Sequence, residues 1–143
     1  MTRVRKWKPL SNKVINRIVN GNLKAAAKGF RGVFSKDMLP KEPLKAEESV
    51  IINLQDFLDG GGTHWVCAFA DEFCVDYFDS FGLQPPDLVK KSMEWSKLVR
   101  YSCNEIQDRR SIMCGWYCLL FLHDQVHNRS TTEIGRASCR ERV

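Results

Sequence analysis

Four side chains in this sequence have the chemistry of a thiol nucleophile and its supporting groups: His64, Asp79, Gln107 and Cys114, in that order. Cys114 lies in QDRRSIMCGWYCLLFLH, residues 107–123, and is followed at once by Gly115. It opens an apolar run with helical spacing: Trp116, Tyr117, Leu119, Leu120, Phe121 and Leu122. A cysteine at the start of a helix meets free backbone N–H groups and the positive end of the helix dipole. That field favours the thiolate, which is the nucleophilic form. Gly115, lacking a Cβ, lets a substrate backbone come close. Gln107, seven residues before Cys114, carries an amide able to donate to an oxyanion. Upstream, GGGTHWVCAFADEFCVDYFDSFG, residues 60–82, places His64 at the start of one strand-like run and Asp79 at the end of the next. Base, orienting acid, oxyanion donor and nucleophile make a full set for thiol catalysis.

Each of these residues also has a plainer reading. Most buried cysteines are small core hydrophobes, a lone histidine is more often structural, and Gln107 is also an ordinary loop amide. Their joint occurrence favours catalysis. Asp76 competes with Asp79 as the orienting acid. Residues three apart on a strand point to opposite faces, so only one of the two should meet His64, and Asp76 is then expected to face solvent. Cys114 and Cys118 stand four apart, as a metal pair on a helix would. A zinc site needs further ligands, and the apolar neighbours offer none, so no metal is expected and Cys118 is assigned to the core. Trp65 and Trp116 are either core residues or walls of a substrate cleft, with the cleft favoured.

The elements that must position these groups follow from local pattern. Ser11 caps a helix with Val14, Ile15, Ile18 and Val19 on one face and Gly21 as its stop. Residues 22–29 stay undecided between helix and loop. Residues 30–40 read as a short extended segment and a turn, and Pro40 and Pro43 bracket a connector. Residues 49–54 form a β-branched, continuous run, hence a buried strand. Residues 63–70 and 73–78 form a hairpin. Residues 87–97 form a helix with Leu88, Val89 and Trp95 facing inward, and residues 98–103 a further strand. A few strands followed by a nucleophile helix, without regular βαβ alternation, predict an α+β fold.

The chain has 143 residues, 43% hydrophobic and 27% charged, which suits one domain with a core. The basic N-terminus lacks the apolar segment of a signal peptide. A reducing, intracellular setting with mostly free cysteines is expected. The last eleven residues, EIGRASCRERV, resemble the translation of a common short-read sequencing adapter and are read as an assembly artefact. Residues 1–132 are then one domain, and the native chain is expected to continue past Thr132 into C-terminal helices missing here. The net charge is +5, with +10 on residues 1–36, +1 on residues 133–143 and therefore −6 on residues 37–132. The basic segment is either a site for nonspecific DNA or a solvated face. On this reading, deleting residues 1–12 should weaken DNA binding and leave cleavage unchanged.

With these four elements placed, the chain resembles the adenain-type cysteine proteases. These are the adenovirus endopeptidase family, in the same clan as the ubiquitin-like-protein (SUMO) proteases. It is most similar to those of Polinton/Maverick elements. The resemblance rests on the His64-Trp65 pair, on Asp79 within YFDSFG, on Gln107, and on Cys114-Gly115, over residues 10–127. FRGVFSKDMLP and SVIINL also resemble N-terminal segments of the family. The resemblance implies a papain-like core in permuted order, with a central mixed or antiparallel sheet and the cysteine at the N-terminus of a buried helix. It implies a peptidase that cleaves viral or transposon capsid precursors. The same clan also allows a ubiquitin-like-protein isopeptidase, or a non-catalytic DNA-binding relative. No cofactor is expected, although adenain uses an activating peptide and DNA. A monomer is expected, with no membrane contact, in the host nucleus or cytoplasm or in the virion.

Overall fold

In a computed structural model the chain is described over residues 9–55, 64–94, 98–101, 104–106 and 113–127, and over 139–141 for the backbone alone. The elements are helices α1 (Asn12–Asn22), α2 (Lys24–Ala27), α3 (Asp87–Glu94) and α4 (Cys114–His127). The strands are β1 (Phe30–Ser35), β2 (Ser49–Asn53), β3 (Trp65–Ala70), β4 (Cys74–Phe78), β5 (Leu98–Tyr101) and β6 (Cys139–Glu141). The strands lie in one mixed sheet in chain order. β1 and β2 are parallel, β2 to β4 run antiparallel, and β4 and β5 are parallel. The fold is α+β. β6 pairs antiparallel with the free edge of β5. Edge pairing uses main-chain groups that any sequence carries, so it is neutral on the origin of the last eleven residues.

Both faces of the sheet are covered, which explains why its strands read as continuous apolar runs. Along β3, Trp65, Cys67 and Phe69 enter one core, with Ile15 and Val19 of α1 and Cys118, Phe121 and Leu122 of α4. Val66, Ala68 and Ala70 enter the other, with Val89 and Met93 of α3 and with Leu44. The period of two along a strand divides them. Phe78 of β4 stacks on Phe121 of α4, centroids 4.8 Å apart, and so seats the helix on the sheet.

Several local expectations shift. Ser11 does cap α1, its hydroxyl accepting from the Val14 N–H. The helix runs past Gly21 to a cap at Leu23, whose N–H reaches the Ile18 and Val19 carbonyls. Residues 24–27 form α2. On α3, Leu88 points outward at 54% exposure and Met93 takes the inward place beside Val89; Trp95 lies outside the described residues. Where it is described, the basic segment is built into the fold. Beyond residue 8 it is α1, α2 and β1, integral to the sheet and its helical cover. None of the described cysteines Cys67, Cys74, Cys114 and Cys118 is in a disulfide. No described helix is long and apolar enough to cross a membrane.

Candidate active site

Three of the four expected residues come together where the ends of β3 and β4 meet the start of α4. Cys114 is the first residue of α4, buried at 5% exposure. The apolar face behind it, Cys118, Leu119, Phe121 and Leu122, fixes the helix against the sheet. His64 immediately precedes β3, and its carbonyl accepts from Leu54 N–H at 3.0 Å. Asp79 immediately follows β4 and is 1% exposed. The hairpin thus carries base and acid side by side, and the helix delivers the thiol.

His64 Nε2 and Asp79 Oδ1 are 2.8 Å apart. The acid is held by its own turn: Oδ1 also accepts from Phe81 N–H at 2.8 Å, and the Asp79 carbonyl accepts from Gly82 N–H at 2.8 Å. Asp side chains favour this local bond two residues on, and Gly82 adopts a φ of 73° that glycine tolerates. The sequence Asp79-Ser80-Phe81-Gly82 is therefore a turn built to aim a carboxylate. Phe81, which sequence reasoning overlooked, stacks on the imidazole with centroids 4.1 Å apart and planes 3° apart. The repeated aromatic pattern of YFDSFG was the available signal.

For Asp76 the expected solvent exposure is corrected. Asp76 does not meet His64, as expected, yet it does not face solvent either. It makes a two-point ion pair with Arg100 of β5, at 2.7 and 2.8 Å, and is 9% exposed.

The charges in the site reinforce one another. Burial opposes a positive imidazole, but hydrogen bonding to Asp79 and Cys114 and the negative charge of both overcome it, raising the His64 pKa from 6.5 to about 9. Burial likewise opposes a Cys114 thiolate, but His64, the Trp65 and Gly115 N–H groups and the imidazolium charge lower its pKa below the ordinary thiol value. The Trp65 N–H lies 3.4 Å from Cys114 Sγ. His64 Nδ1 is buried with no partner in full hydrogen-bond geometry among the described residues. Cys118 is the opposite case: burial, the Cys67 thiol and nearby negative groups push its pKa well above the ordinary value. The two thiols of α4 are thus shifted in opposite directions.

Gln107 lies outside the described residues. The adjoining Ile106 donates its N–H to the Ser80 carbonyl at 3.0 Å, which ties the chain just before Gln107 to the acid's turn. Two cleft assignments change. Trp65 is a core residue at 3% exposure, and Gly115 is buried too. The space a Cβ would need at Gly115 is bounded by Leu10 and Trp65, so the protein's own side chains make the close approach there. Trp116 is half-buried and packs against the same core. Among the described residues no three His, Cys, Asp or Glu side chains gather as a metal site.

A scan of the chain against protein-family models returns no match, and a search of curated proteins returns none.

Proposed function

We propose that this chain is a cysteine-type endopeptidase acting through Cys114, with viral or transposon capsid precursors as its substrates. The observation that carries the catalytic part is the line Asp79, His64, Cys114 at the head of a buried helix, with the thiol pKa lowered and the imidazole pKa raised. The substrate class rests on the resemblance of the motifs.

The Cys114 thiolate attacks the scissile carbonyl carbon, and the imidazolium of His64 passes its proton to the leaving amine. The resulting thioester is hydrolysed by water, whose proton returns to the now neutral His64. Because Nε2 is engaged by Asp79, Nδ1 is the nitrogen that handles these protons. The tetrahedral oxyanion is met by the Cys114 main-chain N–H at the start of α4, and the resemblance of the motifs assigns the second donor to the Gln107 amide. Such donors are typically worth about 3–4 kcal/mol each. The exposed Lys13, Arg17, Lys24 and Lys28 support a second element of the proposal, nonspecific contact with DNA.

The test is cleavage of extended polypeptides followed by mass spectrometry. Cys114→Ala should fold and lose activity, on the order of 10⁶-fold. Iodoacetamide should modify Cys114 before Cys67 or Cys118. Wild-type rates from Cys114→Ala, or earlier reaction at Cys118, would sink the assignment. Preferential cleavage of a ubiquitin-like conjugate would move the substrate to the isopeptidase class.

A further inference from the structure

Both N–H groups of Trp65 are committed to buried contacts. The indole Nε1–H donates to the Leu10 carbonyl at 3.0 Å. The main-chain N–H points to Cys114 Sγ at 3.4 Å. Leu10, 8% exposed, belongs to the same core as Cys114. A Cβ on Gly115 would lie 3.2 Å from Leu10 Cβ and Cδ1 and 3.3 Å from Trp65 Cδ1. Leu10 therefore lies across the first turn of α4, and Ser11, its neighbour, caps α1. The chain entering the fold is strapped over the nucleophile.

We propose that this strap is a positioning device for the thiolate: Leu10 holds the Trp65 indole and so fixes the Trp65 main-chain N–H as a donor to Cys114. The inference rests on Cys114 being the nucleophile. A hydrogen bond to an ionised acceptor is stronger than one to its neutral form, so the donor favours thiolate over thiol. Its strength falls off steeply with poor alignment, which is why the indole anchor matters. The other groups around Cys114 are His64 with Asp79 behind it, Cys118 on α4 and Cys67 on β3. Among these contacts the Trp65 N–H is a donor that carries no titrating proton in the working range. Losing it moves the thiol's titration and leaves that of the imidazole in place. Deletion of residues 1–12, harmless on a sequence reading, removes part of the site.

The experiment measures the rate of Cys114 alkylation by iodoacetamide against pH, with mass mapping and a thermal melt for each protein. Trp65→Phe keeps a ring and lacks the indole N–H. Deletion of residues 1–10 removes Leu10, and deletion of residues 1–8 is the comparator. Trp65→Phe and the 1–10 deletion should slow alkylation at mildly acidic pH by about three- to tenfold. Their acid limb should move upward and their alkaline limb should stay. The 1–8 deletion should match the full chain. An unmoved acid limb in a folded Trp65→Phe or 1–10 variant overturns the inference. In the intact chain, the ¹⁵N–¹H resonance of the Trp65 main-chain amide should follow the Cys114 titration, and its failure to do so also overturns it, whether or not the variants fold. His64→Ala separates the two claims. If it leaves the acid limb unmoved, the reading of Cys114 itself fails. If it moves the limb and the strap variants do not, only the strap fails.

Discussion

On the proposed mechanism, protonation of the pair His64 and Cys114 sets the pH window of the site. Below the lowered pKa of Cys114 the thiol is neutral and weakly nucleophilic. Above about 9 the imidazole loses its proton and no acid remains for the leaving amine. Activity should therefore follow a bell whose alkaline limb falls near 9, read from kcat/KM against pH. The same shift bears on folding. A raised folded-state pKa means that the His64 contribution is fully present below its unfolded value of 6.5 and is lost as pH rises through about 9. The two aspartates of the hairpin should separate cleanly. Asp79→Asn should lower kcat by up to about 10⁴-fold with the fold intact, because the imidazole loses its orienting acceptor. Asp76→Asn should leave the pH profile alone and lower stability by about 1–3 kcal/mol, because Arg100 loses its two-point charged partner and keeps only Asp71 among the described residues, 3.5 Å away. Paired activity assays and denaturant melts decide it, and the reverse pattern would give Asp76 the catalytic role.

At the scale of elements, the site depends on how the hairpin β3–β4 is held. Its outer end is laced to the loop before β2: Glu47 N–H donates to the Ala70 carbonyl at 2.8 Å, and Ala70 N–H to the Glu48 carbonyl at 2.9 Å. Gly29 abuts this lacing, and its carbonyl accepts from Ser49 N–H at 2.9 Å. A Cβ at Gly29 would overlap the Glu47 carbonyl oxygen, which is backbone and has little freedom to yield. Gly29→Ala should destabilise the protein by about 1–3 kcal/mol. Because this lies at the end of the hairpin away from His64, the acid limb of Cys114 alkylation should not move. An unchanged denaturation midpoint would show that the loop relaxes freely.

At the scale of the molecule, the basic residues described between 9 and 36 have different surroundings. Arg31 is drawn into the structure, donating to the Glu42 carbonyl at 2.9 Å with Glu48 at 3.7 Å. Lys13, Arg17, Lys24 and Lys28 remain on the exposed side of α1, α2 and the turn after it. If these contact DNA, affinity should fall with salt at a log–log slope of about −0.9 per phosphate contacted. The double substitution Lys13→Glu and Arg17→Glu should flatten that slope by about 2. Fluorescence anisotropy with a labelled duplex reads both. Absence of binding at low salt would remove DNA from the partners. Lys13 and Arg17 lie on the exposed face of α1, so peptide cleavage should survive the substitutions.

The sequence by itself determined most of the elements and the chemical types. Apolar alternation, the Ser11 cap, the Asp-Ser-Phe-Gly turn and the helical run after Cys114 are local patterns, and local physics decides them. It also singled out His64, Asp79 and Cys114, because the chain has only three histidines and six cysteines and the order of the motifs around them is informative. Only the tertiary structure decided which atoms meet. That Asp76 pairs with Arg100 depends on the parallel register of β4 and β5. That Phe81 stacks on His64 depends on the two ends of the hairpin closing side by side. That Leu10 and Trp65 enclose Gly115 joins residues 55 positions apart through an indole hydrogen bond. Such contacts are set by register and by packing across the core, where a residue's neighbours come from distant stretches of chain, and no periodicity in the sequence records them.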